Sequence, residues 1–288
     1  MRITVIGTGT MGRGIAYVSA VAGFDTVIND TSTKLLDEAL RTISEFLDAG
    51  VARGKIESEE KKQVLARLRL EQDLASAVNG AGLVIEAVPE DIELKCKIFG
   101  RLDTITSPSA VLATNTSSLS VTEVAAATSS PSRVIGMHFF NPVPKMKLVE
   151  IVRGLETGEE TFQLVQEVAK KMGKETVDIR ESPGFVTSRI NALIGNEAFY
   201  MLQEGVASAR DIDKALKLGL NHPMGPFEMV DLVGLDVRLG VLEYLHERLG
   251  EKYRPCPLMV QYVKAGRLGR KVGRGVYEYG EEQPEKSR

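Results

Sequence analysis

The stretch Gly7-Thr8-Gly9-Thr10-Met11-Gly12 constrains the fold more than any other part of the chain. It follows the β-branched run Ile3-Thr4-Val5-Ile6 and opens an apolar helical pattern through Ile15, Ala16, Val18 and Ala22, closed by Gly23. Alone, GxGxxG is a weak signal, because 27 glycines make chance matches common. Its setting is specific. A strand precedes it, a helix follows, and Asp30 stands 18 residues beyond Gly12 at the end of the next strand, Phe24 to Ile28.

Each position in that unit has a physical task. Gly7 permits a tight turn, Gly9 lets the backbone approach a pyrophosphate, and Gly12 lets helix pack closely on strand. The helix N-terminus, with Thr8, Thr10 and Met11 around it, presents N–H groups and a partial positive charge to an anion. The Asp30 carboxylate can accept from ribose hydroxyls and would repel a 2′-phosphate, so the expected cofactor is NAD. The rival is a plain structural glycine turn.

The rest of the first half continues the same alternation. Helical stretches are expected at 33–52, 58–67 and 91–103, with strands at 83–88, 110–113, 133–138 and 147–152. Apolar strands flanked by helical crossovers argue a parallel sheet covered on both faces. Beyond Ser182-Pro183-Gly184 the periodicity is helical, over 185–205, 210–217, 226–248 and 256–265. The expected fold class is α/β, a Rossmann-type doubly wound sheet over residues 1–184 followed by an all-helical domain over 185–288. No internal repeat of 20–50 residues interrupts it.

Charge and composition exclude several partners. With 36 basic and 39 acidic side chains, the net charge is −3. A nucleic-acid binder needs a basic excess or a dense Lys/Arg face, and none stands out. The longest uncharged run, Thr104 to Thr122, is too rich in Ser, Thr and Asn to span a membrane. No leader pattern precedes the first strand. Cys96 and Cys256 lie far apart without a CxxC or Cys/His cluster, so free thiols, no metal and a cytoplasmic location are expected.

Three histidines exist, at 138, 222 and 246. His246 lies in a charged helix and His222 in the Asn221-His222-Pro223 loop, where exposure and packing or capping are the bland explanations. His138 ends a strand at the carboxyl edge, where open α/β sheets bind ligands. If the Pro-rich turn Asn141-Pro142-Val143-Pro144 is symmetric about Pro144, Glu150 faces His138 across an antiparallel pair. A carboxylate on one ring nitrogen fixes the tautomer, and the other nitrogen can then take a proton. A strand-end histidine beside an incidental glutamate fits that geometry equally well.

Several motifs in register resemble the 3-hydroxyacyl-CoA dehydrogenase family, closest to its bacterial short-chain 3-hydroxybutyryl-CoA branch. They are Thr114-Asn115-Thr116-Ser117-Ser118-Leu119, His138-Phe139-Phe140-Asn141-Pro142-Val143-Pro144 with Lys147-Leu148-Val149-Glu150, Pro183-Gly184-Phe185, and Pro223-Met224-Gly225-Pro226-Phe227-Glu228. The likeness runs in order through Gly275-Val276-Tyr277. It implies reversible NAD-linked oxidation of an (S)-3-hydroxyacyl-CoA to the 3-ketoacyl-CoA. His138 would be the general base, Glu150 its orienting partner, and Ser117 a donor to the reacting oxygen. Asn141 would shape the substrate pocket. Glu90, Lys95, Asn115, Ser117 and Lys271 match positions near the cofactor. Dimerisation through the helical domain is also implied.

One position departs from the family pattern. Ser188 stands where asparagine is usual after Pro-Gly-Phe, and a hydroxyl cannot present an amide's paired donor and acceptor. Either Ser188 acts through water, or Asn191 substitutes for it. Arg53 and Lys55 are candidates for the CoA phosphates, with a solvated helix end as the alternative. The basic cluster of Arg267, Arg270, Lys271 and Arg274 reads as a surface loop. Two rival functions stay open, a dehydrogenase of a free hydroxy acid or sugar acid and a non-catalytic NAD-binding sensor or structural protein.

Overall fold

The computed structural model describes residues 1–280. The chain divides into two compact units, Met1–Ser182 and a second beginning at Pro183.

The first unit alternates strand and helix. Its elements are β1 (Arg2–Ile6), α1 (Thr10–Val21), β2 (Asp25–Asn29), α2 (Thr33–Ala52), α3 (Ser58–Ala66), β3 (Leu68–Glu71), α4 (Leu74–Val78) and β4 (Ala81–Glu86). Then follow α5 (Ile92–Ile105), β5 (Val111–Thr114), α6 (Val121–Ala126), β6 (Val134–Phe139), β7 (Leu148–Arg153), α7 (Glu159–Lys171) and β8 (Glu175–Arg180). The strands form one sheet in the order β3-β2-β1-β4-β5-β6-β7-β8. All neighbours are parallel except β6 and β7, which run antiparallel.

The central strands are mostly apolar because helices cover both faces. Ile3, Val5, Leu83, Val84, Ile85, Leu112 and Ala113 are fully buried. Chain order reverses between β1 and β4, which opens a crevice beyond their carboxyl ends. Ser32 and Asp91 cap α2 and α5 by accepting from backbone N–H groups three residues on.

Two strands and one long helix lie outside the sequence expectation. β3 is a four-residue edge strand, Leu-Arg-Leu-Glu. β8 is the opposite edge and mostly exposed, so neither carries an apolar run that separates it from a loop. α7 has an apolar stripe of Phe162, Val165, Val168 and Ala169 between charged positions.

The second unit holds α8 (Thr187–Gln203), α9 (Ala209–Gly219), α10 (Pro226–Val233), α11 (Leu235–Leu249) and α12 (Pro257–Lys264). The helix expected over 226–248 is two helices. Gly234 adopts φ +107°, a conformation that breaks the helical path and that side chains rarely adopt. Phe199, Phe227, Leu235, Leu242 and Met259 centre the core, with the Phe199 and Phe227 rings edge to face at 5.2 Å. No described helix is long and apolar enough to cross a membrane.

Candidate active site

The carboxyl edge of the first unit's sheet carries three linked arrangements. The first is a cavity of about 980 Å³ lined by residues 6–11, Arg13, Asn29, Asp30, Thr31 and the segment 87–89. A Cβ on Gly12 would lie 1.9 Å from the Gly7 carbonyl oxygen, so turn and helix meet only because that side chain is absent. A Cβ on Gly7, at φ +95°, would strike the Ala87 carbonyl at 2.7 Å. At Gly9 a Cβ would enter open space on the cavity wall, the room a pyrophosphate needs.

Thr10 and Met11 begin α1, whose first turn contains no acidic residue to compete for an anion. Asp30 Oδ2 accepts from Thr8 N and Thr8 Oγ1 at 3.1 and 2.6 Å, and Oδ1 accepts from Ser32 N. The carboxylate is thereby locked at the lip of the cavity. These residues fit a dinucleotide: neutral N–H donors at the turn, an acidic acceptor at the end of β2, and a cleft between.

The second arrangement is a chain of charges following β4. Glu86 and Lys95 are fully buried and paired at 2.7 Å. Glu86 Oε1 also accepts from Val88 N, and its Oε2 accepts from Thr114 Oγ1. On its other side Lys95 lies 3.6 Å from Glu90 Oε2. Glu90 Oε1 in turn accepts from Thr116 Oγ1 at 2.6 Å, Ser117 N at 2.9 Å and Ser117 Oγ at 3.3 Å. The ends of β4 and β5 are thus joined through carboxylates.

Neither Lys95 nor Glu90 lines the cavity, and Lys95 reaches its wall through the carbonyl of Val88, 3.5 Å from Nζ. Sequence reading missed Glu86. Its signal was available: one carboxylate inside the apolar strand Gly82-Leu83-Val84-Ile85-Glu86, nine residues before a lysine.

The third arrangement spans β6 and β7, whose register places His138 directly opposite Glu150. His138 Nδ1 and Glu150 Oε2 are 2.7 Å apart, with Glu150 fully buried and His138 nearly so. The Phe140 ring lies 4.5 Å from the imidazole. Asn115 accepts from Phe139 N through Oδ1 at 2.9 Å, tying the end of β5 to that of β6. Asn141 is exposed at the start of the turn.

The remaining candidates belong to other elements. Arg53 caps the end of α2 and Lys55 follows Gly54 at φ +65°, both exposed. Ser188 and Asn191 occupy the first turns of α8 in the second unit, half-buried. Lys271, also in the second unit, pairs with both oxygens of Asp236 at 2.6 Å.

Known proteins resemble the chain over nearly its whole length. The family description "3-hydroxyacyl-CoA dehydrogenase, NAD binding domain" matches residues 2–182, and "3-hydroxyacyl-CoA dehydrogenase, C-terminal domain" matches residues 184–279. A probable 3-hydroxybutyryl-CoA dehydrogenase of Bacillus subtilis is 48% identical over 97% of this chain and 98% of its own. The 3-hydroxybutyryl-CoA dehydrogenase of Bradyrhizobium diazoefficiens is 46% identical over 96% and 95%. A solved (S)-3-hydroxybutyryl-CoA dehydrogenase from Ralstonia eutropha superposes with a TM-score of 0.94 at 43% identity, covering 97% of this chain and 99% of that one. The Rossmann-type sheet, the glycine cradle and the full-length matches agree: this chain belongs to the 3-hydroxyacyl-CoA dehydrogenase family, NAD-dependent oxidoreductases.

Proposed function

We propose that the chain catalyses reversible oxidation of a short-chain (S)-3-hydroxyacyl-CoA, with 3-hydroxybutyryl-CoA as the representative substrate, to the 3-ketoacyl-CoA. The observation that carries this reading is the 2.7 Å His138–Glu150 contact at the sheet's carboxyl edge. NAD, when bound, supplies the hydride acceptor. His138 takes the 3-hydroxyl proton at Nε2, while Glu150 holds Nδ1 protonated and stabilises the resulting imidazolium. Ser117 Oγ, on a long bond to Glu90, exchanges that acceptor for the substrate oxygen.

Gly7, Thr8, Gly9, Thr10, Met11 and Gly12 hold the pyrophosphate, and Asp30 the adenosine ribose. Glu90 lies on the nicotinamide side, fixed by Lys95, and Asn115 keeps β5 aligned with β6. Asn141 and Ser188 contact the acyl part, Arg53 and Lys55 the CoA phosphates, and Lys271 the cofactor. The domain boundary falls at residue 184: 1–184 carries the NAD cradle, the His138–Glu150 pair and part of the substrate contacts, and 185–288 adds Ser188 and Lys271 and meets the second subunit. Exposed Leu218, Leu220, Leu232 and Val233 support a homodimer through the helical unit. The free thiols Cys96 and Cys256 suit a cytoplasmic enzyme.

NADH loss with acetoacetyl-CoA tests the reaction, with free acetoacetate and NADPH run in parallel. Turnover with the thioester and NADH alone is expected. Turnover with free acetoacetate, or silence with the thioester despite NADH binding, overturns the substrate assignment. Light scattering at micromolar concentration tests assembly, and a monomer mass refutes the dimer.

A further inference from the structure

The turn from β6 to β7 exposes a problem of backbone satisfaction. The Pro142 carbonyl accepts from both Lys145 N and Met146 N, at 2.9 and 3.0 Å. The carbonyls of Val143 and Met146 must find donors elsewhere. Lys174 supplies them from the corner between α7 and β8. Its Nζ donates to Val143 O at 2.6 Å and to Met146 O at 2.7 Å.

The lysine side chain is buried, and among the described residues no carboxylate pairs with it. Desolvation pushes its ammonium below the usual lysine range. An ammonium held away from water without a counter-ion is costly. An apolar residue in its place would leave two carbonyls unpaired. The turn has a second anchor as well. Val143 is buried, and a Cβ on Gly14 of α1 would lie 2.7 Å from Val143 Cβ. The segment is pinned between the α7–β8 corner and the helix that opens the cofactor cradle.

We propose that Lys174 is a positioning residue for substrate, gripping the turn that carries Asn141 and fixing its distance from the cofactor helix. The assignment rests on the acyl-CoA reading above and deepens it. Lys174 touches neither the cavity nor His138, so its effect passes through the backbone of residues 141–146.

The test compares wild type, Lys174→Met and Lys174→Gln in the full chain by steady-state kinetics, NADH titration and amide hydrogen exchange. For Lys174→Met, kcat/KM with acetoacetyl-CoA should fall about 10²-fold, as an ångström-scale misplacement costs. NADH affinity should stay within roughly twofold, and exchange should accelerate over residues 140–147 alone. Lys174→Gln, which keeps one donor group, should fall between. Aminoethylation of Lys174→Cys, which rebuilds a lysine-like ammonium, should restore the rate.

Unchanged kcat/KM in Lys174→Met overturns the proposal. So does accelerated exchange across the whole first unit with weakened NADH binding, because the role is then merely structural. If Lys174→Met does not fold, Lys174→Gln decides by the same criteria. Silence of the wild type with every substrate defeats the acyl-CoA reading, and the exchange pattern at 140–147 then decides the clamp independently.

Discussion

Both units bury carboxylates, and they satisfy them in different ways. In the first, Glu86 is fully buried against Lys95, which also approaches Glu90 and through it the Ser117 backbone and hydroxyl. In the second, Asp213 accepts from Phe227 N, Glu228 N and the Tyr277 hydroxyl. Asp231 there accepts from Val276 N, Tyr277 N and the Tyr279 hydroxyl. Neither aspartate forms an ion pair among the described residues. Desolvation raises the Asp213 carboxyl above its usual range despite the three donors.

The contrast separates two uses of one chemical group. Aspartates satisfied by backbone and tyrosine staple residues 276–279. Gly275 and Gly269 approach Asp231 so closely that a Cβ would lie 2.0 and 2.3 Å from it. Glutamates coupled to a cation at the sheet's carboxyl edge instead tie the end of β4 to Thr116 and Ser117 beyond β5. Substitutions among the first unit's coupled charges should cost catalysis as well as stability, and those at the second unit's aspartates should cost stability alone.

The largest expected effect belongs to His138, whose partner Glu150 is, with Glu86, a fully buried carboxylate of the first unit. His138→Gln should lower turnover ~10²–10⁴-fold with NADH affinity nearly unchanged. Comparable turnover in the variant would remove His138 from proton transfer. Next comes Lys95→Met, which strands Glu86 without its cation. A loss of about 3–5 kcal/mol in urea unfolding is expected. Lys95→Met combined with Glu86→Gln should recover part of it, and a double variant as unstable as the single one breaks the charge argument.

Asp231→Asn carries the comparison into the second unit. One amide nitrogen would then face a backbone N–H, costing about 1–3 kcal/mol by the same unfolding measurement. Activity per folded molecule should hold, and a specific loss of kcat would erase the distinction between the two sets.

Asp30 is the intermediate case, a carboxylate of the first unit held by neutral donors. Asp30→Ala should narrow the gap between NADH and NADPH by about tenfold in kcat/KM, roughly 1.4 kcal/mol. An unmoved preference would mean that another residue reads the ribose.

How much of this was legible in the sequence follows from the same physics. The cradle could be read because its glycines and Asp30 are local, spaced by one βαβ unit. The facing of His138 and Glu150 followed from a symmetric turn, since strand register is set by turn length. The α2 boundaries were expected at 33–52 and are Thr33–Ala52, because Ser32 offers a cap and the apolar stripe is long. β8 was not legible: as an exposed edge strand it carries no apolar run. Lys174 was not legible for another reason: its partners are two carbonyls of a distant turn, which one-dimensional spacing does not encode, whereas Glu86 stands out as a lone carboxylate in an apolar strand.

The smallest expected effect tests whether an exposed carboxylate of the second unit obeys the same division. Glu228 pairs with Lys217 at 2.6 Å with both side chains about one-third exposed, and its Oε2 accepts from Gly225 N. The Lys217 side chain and then the Gly225 N–H hold the carboxyl below its usual range, against burial, which pushes it up. A depressed carboxylate adds stability above its unfolded pKa and loses it as pH falls through the folded value. Glu228→Gln should therefore lower Tm by about 1–3 °C near neutrality, the scale of a solvent-screened pair. The gap to wild type should close as pH falls below roughly 4.5, the ordinary glutamate range. Asp213, raised rather than depressed, contributes with the opposite sign, present at low pH and lost as pH rises through its folded value. Asp213 opposes the acid limb while Asp103 and Asp236, also held low, add to it, so only the difference between wild type and Glu228→Gln isolates Glu228. A gap that persists unchanged at low pH would assign Glu228 a packing role and leave its charge without effect.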